Sequence, residues 1–384
     1  MVKEFANAGA LSDLLSQKKI VVCCGTGGVG KTTTSAALAL LAAKQGKKAL
    51  VITIDPAKRL ATSLGLQTLG NEPQDLTALF NEELKKKGKE PLKGQFLAVV
   101  PDSEKTFEGF VRSVAGNQHH LSARVLKTSI YKIFTKEFSG AHEYMAMEKL
   151  YEVATQANPP DLIVLDTPPS ANTRLFLEAP HLLAGFFDET IMKWLTAPGG
   201  KILASGVHKL MEVIEKLTGH GFISDLVEFT TSLFQLRGQF LENLDNVSKL
   251  LHGPQVSFLM VTSPERLVRA DTQEFVALLK KQEYPFWGFV VNRVLRARMG
   301  LTTIPAANDP VVSTWEKSLA PKLNADDLTC LRNNFIEVQA LLRHEAEAAK
   351  FLQGLSTQTN VCEVAEQPTD VHSIGALYEL ASSF

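Results

Sequence analysis

Residues Gly25-Thr26-Gly27-Gly28-Val29-Gly30-Lys31-Thr32 carry the spacing Gly-x-x-x-x-Gly-Lys-Thr. That spacing describes a loop that cradles a phosphate chain. Glycine lets the backbone turn successive N–H groups toward an anion, and the N-terminus of a following helix adds positive potential. Gly27, Gly28, Val29 and Gly30 would offer main-chain donors to the phosphates. Lys31 would reach the β- and γ-phosphates. The Thr32 hydroxyl would sit on Mg²⁺, and Thr33 opens the helix that leaves the loop.

Two carboxylates fall where such a loop needs them. The apolar run 49–54 ends in Asp55-Pro56, and the run 162–165 ends in Asp166-Thr167-Pro168-Pro169. In a parallel sheet the carboxyl ends of the strands line one edge, where ligands bind. Asp166 closes an apolar strand, which suits an acid that holds Mg²⁺ through water. Asp55 is the better placed to orient or deprotonate an attacking water. With Lys31 it makes the predicted catalytic pair. A single strand-end aspartate is also an ordinary turn or cap residue; the pair beside a phosphate loop favours the catalytic reading. On a late strand the chain has no Asn-Lys-x-Asp for guanine. It has Phe289-Val290-Val291-Asn292-Arg293 instead. An asparagine amide matches adenine N6 and N7. Asn292 is therefore assigned to the base of ATP, with a capping role as the alternative.

These side chains require strands to carry them. Apolar, β-branched-rich runs lie at 20–24, 49–54, 96–100, 162–165, 256–261, 287–291 and 360–364. Continuous apolar runs are the mark of parallel strands buried on both faces. Helical stretches separate most of them, the first at 33–45, so the chain is predicted to be α/β with a parallel sheet. Residues 103–157 and 175–252 break the alternation. There the periodicity is helical, with Leu210, Val213, Ile214 and Leu217 on one face and Leu226, Leu233, Phe240, Leu244 and Val247 along another. Gly199-Gly200 and the glycines at 219 and 221 read as turns. A further helix over 326–351 carries Leu328, Leu331, Phe335, Val338 and Leu342. The predicted division is a nucleotide-binding core of 1–102, 158–174 and 253–384, with a helical subdomain of 103–157 and 175–252.

Composition removes other classes. The chain has 384 residues, of which 45% are hydrophobic and 21% charged, as in an ordinary globular protein. Lys plus Arg is 40 and Asp plus Glu 41, a net charge of −1, which argues against a nucleic-acid partner. The lysines at 85–87 and 89 follow Glu82 and Glu83 and read as a solvated helix end. No apolar run reaches the ~18 residues of a membrane helix. The first residues hold no signal-type apolar core. The four cysteines lack Cys-x-x-Cys spacing, which with no export signal points to the cytoplasm. Cys23 and Cys24 adjoin in a strand, so they face opposite ways and read as buried small residues. His119-His120 has no companion ligands and reads as polar surface.

Together the phosphate loop, Asp55-Pro56-Ala57, Asp166-Thr167-Pro168-Pro169-Ser170 and Val291-Asn292-Arg293 resemble a family of P-loop NTPases. It is the family of the arsenite-pump ATPase ArsA and of the ATPase that targets tail-anchored membrane proteins. The wider group includes MinD and ParA. The resemblance extends over nearly the whole chain. Residues Glu143-Tyr144-Met145-Ala146-Met147-Glu148-Lys149-Leu150 and Asp370-Val371-His372 resemble a bacterial ArsA-like branch. The resemblance implies a doubly wound, mostly parallel sheet, an inserted helical subdomain, switch I at Asp55, switch II at Asp166 and dimerisation across the nucleotide face. Glu143 and Glu148, five apart on a predicted helix, do not share a face and are not assigned catalysis; the resemblance implies for them only a relay of nucleotide state to the helical layer.

The departures carry information. The family's first loop lysine, which reaches the partner's phosphates, is Thr26 here. Either another cation substitutes, or a partner chain supplies one, or hydrolysis is slow; Lys58, Arg59 and Arg174 flank the switch motifs and are the candidate substitutes, with surface or helix-end charge as the alternative and Arg59 or Arg174 predicted to assist across the dimer. One phosphate loop and scattered cysteines argue against arsenite as ligand. The zinc clasp of the targeting ATPase is absent. Only 7 Met occur against 21 Phe, and Phe186, Phe187, Ile191, Trp194 and Leu195 cluster in the helical region, as helical core or as part of a client groove. Three functions follow. The first is a cytoplasmic Mg²⁺-dependent ATPase, a homodimer or a heterodimer with an ArsA-like paralogue, that moves its helices for a protein client or partner. The second is an ATP-binding module with little or no hydrolysis. The third is a MinD- or ParA-type positioning ATPase. The end of the chain, apolar at Val371, Ile374, Leu377, Leu380 and Ala381, lacks the basic residues of a membrane-surface helix, which ranks that reading last.

Overall fold

The computed structural model describes residues 8–54, 61, 69–128, 130–137, 140–167, 170–187, 222–267, 269–301, 317–318, 324–355 and 359–384. In chain order the elements begin with α1 Ala8–Gln17, β1 Ile20–Cys24, α2 Lys31–Lys44, β2 Lys48–Thr53, β3 Gln74–Asp75, α3 Thr77–Lys86 and β4 Gln95–Val99. A helical stretch follows: α4 Ser103–Ala115, α5 His119–Lys127, α6 Ile130–Glu137 and α7 Ala141–Thr155. Then come β5 Leu162–Asp166, α8 Ser170–Phe186, α9 Phe222–Gln235, α10 Arg237–His252, β6 Val256–Thr262 and α11 Arg269–Lys281. The chain closes with β7 Phe286–Val294, α12 Leu295–Arg298, α13 Ala325–Gly354, β8 Asn360–Ala365 and α14 Ile374–Ser382.

The eight strands form one sheet in the order β3-β4-β2-β5-β1-β6-β7-β8. All pairings are parallel except β3 with β4. Strands β1, β5 and β6 are buried along their whole length, which is why their sequences are continuous apolar runs rather than alternating ones. Helices cover both faces. On one face α1, α2, α3 and α14 enclose a core with Val21, Cys23, Val51 and Val164. On the other, α4 to α10 enclose Val22, Cys24, Ile52 and Leu165. Cys23 and Cys24 thus point into different cores, as their adjacency in a strand dictates.

The predicted α/β, doubly wound, mostly parallel architecture is the one found. The antiparallel β3 was not anticipated. The apolar spacing from Leu226 to Val247, read as one helix, is divided at Leu236 into α9 and α10. Residues 188–221, with Leu210, Val213, Ile214, Leu217, Ile191, Trp194, Leu195 and the glycine turns, lie outside the described residues. Phe187 is buried in the helical core. The apolar residues of α14 are buried against α2 and α3, so that helix spends its apolar face on its own fold. Along α13, Leu342 and Leu352 are buried while Leu331 is exposed. No helix among the described residues is long and apolar enough to cross a membrane.

The helical core holds a polar cluster. The Tyr144 hydroxyl and the Asn243 amide both donate to Glu148 Oε2, at 2.9 and 2.5 Å. Burial pushes the Glu148 carboxyl up to about 7, against the pull of those two hydrogen bonds. Next to it, Lys149 is buried and pairs with Glu72 at 3.1 Å and with Glu152 at 3.0 Å. Glu72 belongs to the segment between β2 and β3.

Candidate nucleotide site

Strand β1 sits at the centre of the sheet and runs into the glycine loop. Gly25, Gly28 and Gly30 have φ of 147°, 77° and 90°, values that L side chains rarely adopt. A Cβ on Gly25 would overlap the Val261 carbonyl oxygen, and one on Gly30 would overlap the Asn292 amide. The loop therefore takes its path through conformations and clearances that only glycine permits. Gly30 caps α2 without a side-chain bond, leaving the first N–H groups of the helix for a ligand. Val29 is fully buried and anchors the loop from below, while Gly27 and Gly28 are exposed.

Lys31 opens α2 and is 7% exposed. Its Nζ donates to the Thr26 carbonyl at 2.9 Å, so the ammonium group is held across its own loop, where a phosphate chain would lie. The Thr32 hydroxyl donates to Asp166 Oδ2 at 2.6 Å. From the neighbouring strand the Thr53 hydroxyl donates to the same oxygen at 2.7 Å. Asp166 and Thr53 are each 1% exposed. A buried carboxylate beside a hydroxyl, at the mouth of a phosphate loop, is an all-oxygen donor set of the kind a hard cation takes. The donor set of Thr32 and Asp166 thus fits a cation such as Mg²⁺. Elsewhere among the described residues no group of three or more His, Cys, Asp or Glu could hold a metal. His119 and His120 are exposed on α5.

On the far side of the loop, Asn292 ends the continuous buried run of β7, before exposed Arg293. Its Nδ2 donates to the Val29 carbonyl at 2.9 Å, and its Oδ1 accepts from Arg293 N–H at 2.9 Å. Arg293 takes a left-handed φ of 60°. The side chain therefore ties β7 to the phosphate loop, and its second amide hydrogen remains available in stereochemical terms. Asn292 also lines a cavity of about 550 Å³ with Gly28, Gly30, Lys31, Thr32 and Thr33. The same cavity continues past Glu265 to Gln367, Asp370 and His372 beyond β8.

The structure thus brings together Gly28, Gly30, Lys31, Thr32, Thr33 and Asn292 around one cavity, with Asp166 bonded to Thr32. Asp55, Lys58 and Arg59 lie outside the described residues, as does the side chain of Arg174. Three features escaped the sequence reading: Thr53, Glu265 and the 366–372 segment as lining. Each stands at or just past the carboxyl end of a strand, and that position was the available signal. The cysteines beneath the loop are fully buried. Burial raises the thiol of Cys23 far above its ordinary value, and that of Cys24 to about 12, against the hydrogen bond from Thr167 and the charge of Lys31. Both stay protonated and unreactive.

The sequence model of the anion-transporting ATPase family, ArsA, matches residues 18–302. ATPase ASNA1 homolog 1 of Paramecium tetraurelia is 27% identical over 282 residues, 71% of this chain and 73% of the relative. The putative arsenical pump-driving ATPase 2 of Aquifex aeolicus is 26% identical over 277 residues, 71% and 78% of the two chains. The ATPase ASNA1 homolog of Entamoeba dispar is 26% identical over 284 residues, 72% and 76%.

Proposed function

Because the chain belongs to the anion-transporting ATPase family, we propose that it is a cytoplasmic, Mg²⁺-dependent ATPase that works as a nucleotide-switched dimer. The N–H groups of Gly27, Gly28, Val29 and Gly30 hold the phosphates, with Thr33 at the start of α2. Lys31 leaves the Thr26 carbonyl and neutralises the transferring phosphate. Thr32 and Asp166 would hold Mg²⁺, which would supply charge neutralisation to the phosphate chain. Asp55 orients the attacking water, and Asn292 reads the adenine. Hydrolysis then changes the dimer between closed and open forms and moves the helical layer for a protein client or partner. The partner chain is a second copy or an ArsA-like paralogue. The observation that carries this reading is the contact of Thr32 with buried Asp166 at 2.6 Å, directly after a lysine held across a glycine loop.

A second reading has its own motive. Thr26 supplies no charge, and a positive group at the transferring phosphate is worth about 10³–10⁵ in rate where an arginine finger provides it. On that reading the chain binds ATP and closes without turnover until a partner completes the site. Steady-state hydrolysis of MgATP by the purified chain, with Asp55→Asn as control, separates the two. Turnover at least tenfold above the control supports the ATPase. Tight ATP binding with turnover equal to the control favours the binding module. The positioning-ATPase reading is weakened by α14, whose apolar side chains are buried against α2 and α3.

A further inference from the structure

We propose that Thr53 is a positioning residue for the metal acid: its hydroxyl aims the Asp166 carboxylate. The inference rests on the nucleotide-site reading above and extends it to a residue outside the glycine-loop motif.

The parallel register places Thr53 directly beside Asp166 in the β2–β5 ladder. Both side chains are sealed from solvent. The Thr53 hydroxyl reaches Asp166 Oδ2 at 2.7 Å. A main-chain bond from Ile54 N–H to the Asp166 carbonyl, at 3.2 Å, continues the contact one residue toward Asp55. Oδ2 therefore receives two hydroxyl protons, one from β2 and one from the first turn of α2. A buried carboxylate is costly unless hydrogen bonds favour its charged form. Two short donors at one oxygen supply that and fix the rotamer, leaving the plane of the carboxylate set before a cation arrives.

The residue type points the same way. Valine has the shape of threonine and suits a fully buried strand, whereas a buried hydroxyl is unfavourable without a partner. After Lys48, every residue of β2 from Ala49 to Ile52 is apolar, and the next polar side chain, Thr53, stands level with Asp166. The strand thus changes character at the register position where the acid needs a donor.

The test uses the full chain and ADP titrated calorimetrically with and without Mg²⁺. Thr53→Val is expected to keep Mg²⁺-free ADP affinity within twofold. It should raise the Mg²⁺ concentration for half-maximal enhancement of ADP binding about tenfold, as loss of one hydrogen bond to a charged group implies. Thr53→Ser, which keeps the hydroxyl, is expected to restore the Mg²⁺ requirement to within threefold. Thr53→Ala removes the hydroxyl without placing a methyl group against the carboxylate, and it should behave as Thr53→Val does. Mg²⁺ dependence equal to the unaltered chain in both hydroxyl-free variants would overturn the assignment while leaving the nucleotide site standing. An equal fall in Mg²⁺-free affinity in Val, Ala and Ser variants would also overturn it, because the effect would then be general to the strand. Failure of the unaltered chain to bind ADP at all would overturn both readings.

Discussion

Glu148 offers a measurement in which sign and size follow from geometry. Its carboxylate is enclosed between α7 and α10, where Tyr144 and Asn243 donate to one oxygen. Burial dominates, and Glu152 nearby adds to it, so the group titrates near 7 in the folded chain against 4.5 when free. An acid with a raised folded pKa carries no penalty below its unfolded pKa, where both states are protonated. The penalty grows as pH rises from about 4.5 to about 7 and is constant above that. At about 1.4 kcal/mol for each tenfold change in proton affinity, the full effect is about 3 kcal/mol of stability lost at alkaline pH. Glu148→Gln keeps an oxygen that both donors can reach and removes the charge. At pH 8 the variant should melt higher than the unaltered chain by about 4 °C, taking about 2.1 cal/mol/K of unfolding entropy per residue. At pH 5 the two should melt within about 1 °C. Circular dichroism at half-unit pH steps checks this, and the difference between the curves isolates Glu148 from every other titrating group. Parallel curves at all pH values would refute the reasoning, since they would mean that the carboxylate is as well solvated folded as unfolded.

Two further outcomes bear on the loop. Gly25→Ala places a methyl group on the Val261 carbonyl at a φ of 147°, so the loop must shift; stability should fall by more than about 1 kcal/mol and ADP binding should be lost, checked by thermal melts and calorimetry. Asn292→Ala leaves the Val29 carbonyl and the Arg293 N–H without that amide, which costs about 1–3 kcal/mol; competition binding should also show a reduced preference for ATP over GTP, and an unchanged preference would assign the amide to the loop alone.

The sheet was legible because strands buried on both faces leave no choice of residue. Seven apolar runs became seven strands, with ends displaced by at most three residues. β3 escaped because its two residues, Gln74 and Asp75, are polar and exposed and carry no hydrophobic signature. The division between α9 and α10 escaped for the opposite reason. Leu236, at the break, is itself buried, and Leu233 and Phe240 on either side keep helical spacing. The apolar pattern therefore runs through a turn that has no glycine or proline at its centre. The end of the chain was ambiguous by periodicity alone, since an apolar helical face fits a membrane, a partner or its own core. Only the packing of α14 on α2 resolves it.

The site was legible where chemistry fixes local spacing and illegible where it depends on register. Eight consecutive residues identify the phosphate loop, yet nothing between residues 53 and 166 in the sequence announces that Thr53 and Asp166 will stand side by side. The strand order then has a consequence for how the site divides. Strand β1 delivers the loop at the centre, β5 and β2 lie to one side, and β6, β7 and β8 to the other. Thr53 and Asp166 belong to the first side, while Asn292, Glu265 and Gln367 belong to the second. The loop stands between them and links the Thr53–Asp166 side to the Asn292 side through its own backbone. Perturbations at Thr53 and at Asn292 should accordingly act on different ligands of the same cavity, and their free energies should add to within about 0.5 kcal/mol in the double variant. Departure from additivity would locate the coupling in the glycine loop itself, because Asn292 grips it at Val29 and Thr32 leaves it for Asp166.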